Sequence, residues 1–549
     1  MAYFIVAVFI TVGAYILIYP IGHTGDGWGY AADALQANSW NSGELVSAHH
    51  LLYHYLCFLL KSIFNSCHIR PIQGITAMNW IFYGLVLLVF YSMLKGLQHS
   101  KTSSFSWTLL MGGCFGVLRF ALENETYMIP LFFALCGSFF IINNKPNESK
   151  GILGFFLLGL SVLFHQSYIF WLIAFGIFSI KRRKWIGPIL SITMVIGIYM
   201  LFAIKQNLSL FQFILTDVNQ SLVQTIPNFN NVKFTLINGF HTIFQVQGNQ
   251  LLLFKQKTVL SLFGVFGLVL FFVPLLGYVK NRFQLSHRLI QGFKSRLLGI
   301  SPFQNPFLLA FVLHLAFAFY SVGNAEFMVM LPMLFLLSFH NQIISNSTHI
   351  PQMTVGIWIY QIVFFVIPLF SGWFDDIGQT STLLSKENLQ RPFLFVSSNA
   401  IAIQNKLEYE SYELHLIHSA NPSESHQNEN QEQRNSRANH SLNTNFSKGH
   451  FLIGQNPAEI NEITKLLHDP RMEVYTDNTI LFNRGLNGSR SGMLTNPLLK
   501  KILYSLRWEK AEGYVEHESE YFDQGLSEAV KNGEEQSMPR KGKLYRLDR

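Results

Sequence analysis

Long apolar runs separated by short polar loops dominate the chain up to about Gly372, and a different, mixed pattern follows. The apolar runs fall at 3–20, 72–94, 106–122, 126–142, 151–164, 168–180, 185–204, 257–279, 306–321, 325–340 and 352–372. About 20 helical residues cross a hydrocarbon layer of roughly 30 Å. These runs lack the period-two alternation of barrel strands, and only helices or closed barrels satisfy their backbone in lipid. The pattern predicts an α-helical polytopic membrane protein of about eleven spans, with the pairs at 106–142 and 306–340 alternatively forming re-entrant hairpins. The opening segment lacks a basic leader region and reads as a retained first span.

Beyond Gly372 the periodicity changes. Arg391–Ser397 reads as a strand, Asn399–Glu410 as a helix and Glu413–His418 as a second strand. Ser419–Lys448 is a polar linker too poor in apolar residues to fold. His450–Gly454 reads as a strand, Pro457–His468 as an amphipathic helix and Glu473–Asn483 as a hairpin turning at Asp477-Asn478. The expected division is a membrane domain over 1–372, with an outer first loop at 21–71, and a hydrophilic α/β tail over 373–549. No glycine-rich phosphate loop accompanies the tail.

Composition agrees with this picture. Of 549 residues, 50% are hydrophobic and 13% charged, where a soluble protein carries about a quarter charged. The net charge of +8 does not point to nucleic acid, because the basic residues gather in alternate loops. These are Lys95 with Lys101, Lys145 with Lys150, Lys181-Arg182-Arg183-Lys184, and Lys280, Arg282, Arg288, Lys294 and Arg296. By the positive-inside rule the N-terminus is cytoplasmic, and eleven crossings place the tail outside. The four cysteines (Cys57, Cys67, Cys114, Cys136) have no metal-ligand spacing and make a disulfide framework unlikely, although Cys57 and Cys67 could meet in an oxidising compartment.

In that orientation the polar residues at the ends of the apolar runs converge on the outer face. They are Asp26, Asp33, Glu44, His49, His50, Glu123, Glu125, His165, Asn324 and Glu326. Charges near lipid are costly and mark substrate paths or sites. The first loop holds Gly25-Asp26-Gly27, which is also ordinary turn chemistry. Downstream, His50, His54, Cys57 and Lys61 share one stripe of a predicted interfacial helix over 49–64. His50 and His54 at i, i+4 have no HExxH glutamate and no evident third ligand, so no metal site is assigned and a need for divalent metal stays open. Arg119 and Glu123 are spaced to pair on one helix face.

Gly25-Asp26, Tyr30-Ala31 and His49-His50-Leu51-Leu52-Tyr53 resemble, in order and spacing, the first outer loop of the polytopic GT-C glycosyltransferases. The subgroup is that of protein O-mannosyltransferases and lipid A aminoarabinose transferases (glycosyltransferase family 39-like). Glu125-Thr126-Tyr127, His165-Gln166 and Glu326 also look like that family's outer helix ends. Gly27 stands where the family has a second acidic residue, and two histidines replace its Lys-Pro-Pro. The resemblance implies an inverting hexosyl or pentosyl transferase of the cytoplasmic membrane, using a polyprenyl-phosphate sugar as donor and a lipid, glycan or protein as acceptor. Asp26 would be the general base, needed near the attacking oxygen. His49 and His50 would bind or protonate the leaving phosphate, assisted by Lys61 or Arg119. Arg119 and Glu123 would form either a donor-phosphate clamp or a structural ion pair. Glu125, His165 and Glu326 would line the acceptor pocket, and Tyr53 and Gln166 would bind substrate. The alternatives are a transporter or flippase for a lipid-linked glycan, against which the absence of a repeat argues, and a degenerate scaffold.

Overall fold

The computed structural model describes residues 2–18, 23–67, 69–143, 148–215, 227, 229–246, 253–254, 257–284, 305–344, 349–371, 376–386, 392–396, 400–420, 449–452, 457–477, 508–510 and 544–547. Its helices in chain order begin with α1 (Ala2–Ile18), α2 (Gly25–Gln36), α3 (Leu51–Ser66), α4 (Pro71–Gly96), α5 (Lys101–Gly112), α6 (Phe115–Leu122) and α7 (Met128–Ile142). Then come α8 (Glu148–Phe164), α9 (Ile169–Lys181), α10 (Ile186–Lys205), α11 (Leu210–Leu215), α12 (Phe229–Ile243), α13 (Thr258–Gln284), α14 (Pro306–Tyr320) and α15 (Leu331–Ser338). They end with α16 (Ile350–Gln361), α17 (Asp376–Lys386), α18 (Ala400–Ala420) and α19 (Pro457–Leu467). The chain divides into two compact units, Met1–Pro20 with Ala37–Val246 and Val259–Ile367, and Ile21–Gln36 with Gln247–Thr258 and Pro368–Arg549.

The first unit is a helical membrane bundle. Within the described residues the predicted apolar runs are helical, and four helices there are long and apolar enough to cross a membrane: Pro71–Gly96, Ile186–Lys205, Thr258–Gly277 and Ile350–Phe370. The predicted run at 106–122 is two helices, α5 and α6, bent by 66° at Gly113-Cys114; as one broken span they make a fifth. The remaining runs are shorter apolar helices, such as Met128–Ile142 and Pro306–Tyr320. Prolines open α4, α14, α15 and α16, where the missing N–H has no intrahelical partner to lose. Asn305 and Ser100 side chains accept amides of the first turns of α14 and α5.

Several side-chain polar groups inside the bundle bond to a neighbouring helix, which a low-dielectric interior favours. Trp171 donates to Ser138 at 2.8 Å, Tyr83 to the Gly112 carbonyl at 3.1 Å and Trp358 to the Leu109 carbonyl at 3.0 Å. Two helix pairs touch backbone to backbone. A Cβ at Gly356 of α16 would lie 2.6 Å from the Gly267 carbonyl oxygen of α13, and one at Gly137 of α7 would lie 2.6 Å from that of Gly154 on α8. Lipid supplies no hydrophobic drive between helices, so such close approaches carry the association.

The second unit contains a five-stranded sheet, ordered β2-β1-β3-β5-β4. The strands are β1 (Phe393–Val396), β2 (Gly449–Leu452), β3 (Glu473–Asp477), β4 (Trp508–Lys510) and β5 (Leu544–Leu547). β1 pairs in parallel with β2 and β3, while β5 pairs antiparallel with β3 and β4. The parallel strands are linked by helices, as crossovers demand, and β1, buried throughout, is apolar along its length. Among the elements expected in this part of the chain, one is corrected. Glu413–His418 is not a strand: α18 continues through it to Ala420, and an i, i+4 bond from Tyr409 to Glu413 holds that register. Alternation in so short a segment yields to helix-forming Leu and Glu. Residues 421–448 of the predicted linker, and the second arm of the predicted hairpin, lie outside the described residues.

The first loop also differs from a turn. Gly25–Gln36 is the helix α2, and it packs on α18 within the second unit. A Cβ at Gly25 would sit 2.7 Å from that of Ala402, and one at Gly29 would sit 2.9 Å from the Asn405 amide nitrogen. Asn405 donates to the Gly25 carbonyl at 2.9 Å, and the rings of Trp28 and Tyr409 lie 5.3 Å apart. The glycines flanking this segment therefore admit a neighbouring helix. Replacing Gly356 by Leu should part α16 from α13 and cost at least ~1–3 kcal/mol. Thermal unfolding of the detergent-purified protein reads this out, and an unchanged midpoint would contradict the close packing.

Candidate functional site

The first unit brings most of the predicted site residues into one buried cluster. Its centre is the loop Glu123-Asn124-Glu125-Thr126-Tyr127 between α6 and α7, in which no residue is more than 8% exposed. Five consecutive polar residues at such depth need an anchor. Asn79, on α4, supplies it: its side-chain nitrogen donates to the carbonyls of Glu123 at 3.0 Å and Glu125 at 2.7 Å. Tyr53, fully buried on α3, donates its hydroxyl to Asn124 at 2.8 Å. Burial, and then the neighbours Cys57 and Glu125, raise the Tyr53 phenol well above its ordinary value, so it remains a donor.

Charge sits on one side of this loop. The Arg119 Nε is 2.9 Å from Glu123 Oε2, the pairing its spacing predicted. Burial pushes the Glu123 carboxyl above the ordinary carboxylate range, with the Arg119 charge pulling the other way. Glu326 arrives from the segment before α15, its backbone nitrogen bonded to Asn324, and accepts from the Tyr127 hydroxyl at 3.5 Å. His241 on α12 joins through its neighbours. Its ring stacks on Phe115 at 4.7 Å and bonds Gln245 at 3.2 Å, and burial with the nearby Arg119 lowers its pKa to about 4.

Histidines form the other side. His50 caps the start of α3 by position, without a side-chain cap bond. Its ring is 4.7 Å from that of His165 and 6.0 Å from that of His49. The Gln166 backbone nitrogen donates to the His49 carbonyl at 3.0 Å, tying this loop to the start of α9. His165 accepts the Ser167 amide on Nδ1 at 3.2 Å and lies 4.6 Å from the Tyr127 ring. Among the described residues its buried Nε2 has no hydrogen-bond partner. Burial, then the neighbouring His49 and His314, lower its pKa from 6.5 to about 3. Burial, then His165, holds His50 well below its ordinary value. Both imidazoles are therefore neutral at physiological pH, able to exchange hydrogen bonds with a hydroxyl-bearing ligand.

Of the predicted residues, His49, His50, Tyr53, Arg119, Glu123, Glu125, His165, Gln166 and Glu326 share this unit and this network. Lys61 does not join them. It lies eleven residues beyond His50, about 16 Å along the helix, and its Nζ donates to the Ala37 carbonyl at 3.0 Å. The shared stripe is real, but a stripe extends further than a site. Asp26 belongs to the second unit, exposed in the first turn of α2, where a carboxylate is favoured by the helix dipole. Asn79 and His241 were missed by sequence reasoning, and Tyr127 was quoted in the resemblance without a role. For Asn79 the signal was present, as a side-chain amide that, with Gln73, interrupts an apolar span. Among the described residues no group of three or more His, Cys, Asp or Glu side chains is arranged to hold a metal ion, and no two of the four cysteines form a disulfide.

Against known proteins, the chain matches no family model and no curated protein. Among solved structures it is similar to one titled "Crystal Structure of ArnT from Cupriavidus metallidurans in the apo state". Identity is 11%, the alignment covers 87% of this chain and 93% of that one, and the TM-score is 0.39. A likeness this loose carries no residue roles across.

The histidine environment makes a pH test possible. Neutral His165 contributes stability in full above pH 6.5. That contribution falls away as pH drops from 6.5 towards 3, because the unfolded chain takes up a proton that the folded one refuses. His165→Gln should flatten the loss of stability between those pH values by up to ~1.4 kcal/mol per pH unit. Parallel slopes for variant and parent in denaturation at several pH values would refute it.

Proposed function

We propose that this protein is a membrane glycosyltransferase of GT-C type, working at the outer face of the cytoplasmic membrane with a polyprenyl-phosphate sugar as donor. The observation that carries this reading is the gathering of Glu123, Glu125, Glu326, Arg119, His50 and His165 around one buried loop. Carboxylates and neutral imidazoles hydrogen-bond sugar hydroxyls, and a guanidinium meets a phosphate. The cluster lies at helix ends, where a lipid-linked donor presents its headgroup.

In the proposed reaction the acceptor hydroxyl attacks the anomeric carbon from the face opposite the phosphate. A bond forms between that oxygen and the anomeric carbon, and the bond from the carbon to the phosphate oxygen breaks. The acceptor proton passes to the Asp26 carboxylate, the base that the first-loop resemblance implies, and polyprenyl phosphate leaves with the electron pair of the broken bond. The acceptor is a lipid, glycan or protein hydroxyl. Asp26 carries the base role because the first-loop resemblance singles it out and because it is an exposed carboxylate on an ordered helix.

Asp26→Asn tests the assignment. Loss of a general base costs roughly 10²–10⁴ in rate, so membranes from cells making the variant should lose the glycosylated product while protein level and insertion stay normal. Full product from Asp26→Asn would remove Asp26 from the mechanism.

A further inference from the structure

A second site lies in the bundle away from the acidic loop. The ends of α7, α8, α9 and α10 enclose a cavity of about 260 Å³, lined by Ile141, Phe155, Ser179, Arg182, Arg183 and Lys184 among others. Among the described residues its lining contains three cationic residues and no acidic one. Among the described residues none of the three is ion-paired. Arg182 spends its guanidinium on the Phe178 ring, 4.0 Å from the centroid. The turn that presents them is built in: Arg183 has φ of 59°, and the Lys184 amide bonds back to the Ser179 carbonyl at 2.9 Å. The cavity also meets the first turn of α10, at Ile186 and Gly187, which no side chain caps. Backbone amides there add to the positive potential.

The surroundings identify the occupant. Trp185, 56% exposed, stands at the rim, and Phe156, Ile180, Ile186 and Ile189 present exposed apolar surface on the same helix ends. Such a surface faces acyl chains, and Trp favours the headgroup level. A cationic cavity open to that surface, with apolar walls from Ile141, Ile152 and Phe155, matches a ligand with an anionic head and hydrocarbon tails. Soluble anions lack the part that the apolar walls would cover. We infer that this cavity binds the headgroup phosphate of an anionic phospholipid from the surrounding bilayer, with its chains along α8 and α10. The site is independent of the sugar-transfer reading.

The test is native mass spectrometry of the full chain, released from nanodiscs of equal dioleoylphosphatidylglycerol and dioleoylphosphatidylcholine. The parent protein should retain the phosphatidylglycerol in clear excess. Arg182→Gln with Arg183→Gln and Lys184→Gln should weaken that retention by roughly a hundredfold, each cation near an anionic lipid contributing about a factor of five. Equal retention of both lipids by the parent would overturn the site whether or not the variant folds. So would an unaltered preference in a folded variant, or displacement of the lipid by inorganic phosphate alone, which would mark a free-anion site.

Discussion

The membrane unit depends on one side-chain amide. Asn79 sits in the middle of an apolar neighbourhood on α4 and holds two carbonyls of the loop between α6 and α7. A buried loop has no sheet or helix ladder to satisfy it, so its carbonyls need a donor from elsewhere. With both carbonyls bound, the loop can stay buried and keep Glu123 and Glu125 in place. Tyr53 repeats the logic from α3 by donating to Asn124. The bend between α5 and α6 delivers Arg119 to Glu123 on the adjoining turn.

Around this anchor, tight helix contacts and buried hydrogen bonds divide the work. Gly137 with Gly154, and Gly267 with Gly356, let helices meet backbone to backbone. Bonds such as Trp171 to Ser138 fix their rotation. The acidic and histidine-lined sides of the site thus rest on separate helices that packing has already set. His50 and His165 stay neutral because burial denies them a proton, and so can serve as hydrogen-bonding groups without adding charge.

Much of this was legible in the sequence, for physical reasons. Apolar run length predicts helices because lipid leaves the backbone no other partner, and the runs are helical where they are described. Glu123, Glu125, His165 and Glu326 stood out because charge beside apolar runs is costly. Arg119 and Glu123 were matched by spacing alone. Less was legible where tertiary contact decides. Gly25-Asp26-Gly27 has turn chemistry, yet it folds as α2 because Gly25 and Gly29 admit α18, some 380 residues later in the chain. Glu413–His418 alternates like a strand but continues α18. Lys61 shares the stripe of His50, yet the periodicity of a helix carries no information about distance along it.

Hydrogen-exchange mass spectrometry on the parent and on Asn79→Leu tests the anchoring most directly. The side chains are similar in size, so the exchange isolates the two lost hydrogen bonds. The account predicts that amides over residues 119–130 exchange much faster in the variant, while those of α4 beyond the first turns around residue 79 keep their protection. Unchanged protection of the acidic loop in Asn79→Leu would contradict the central claim, and the loop's burial would then need another cause.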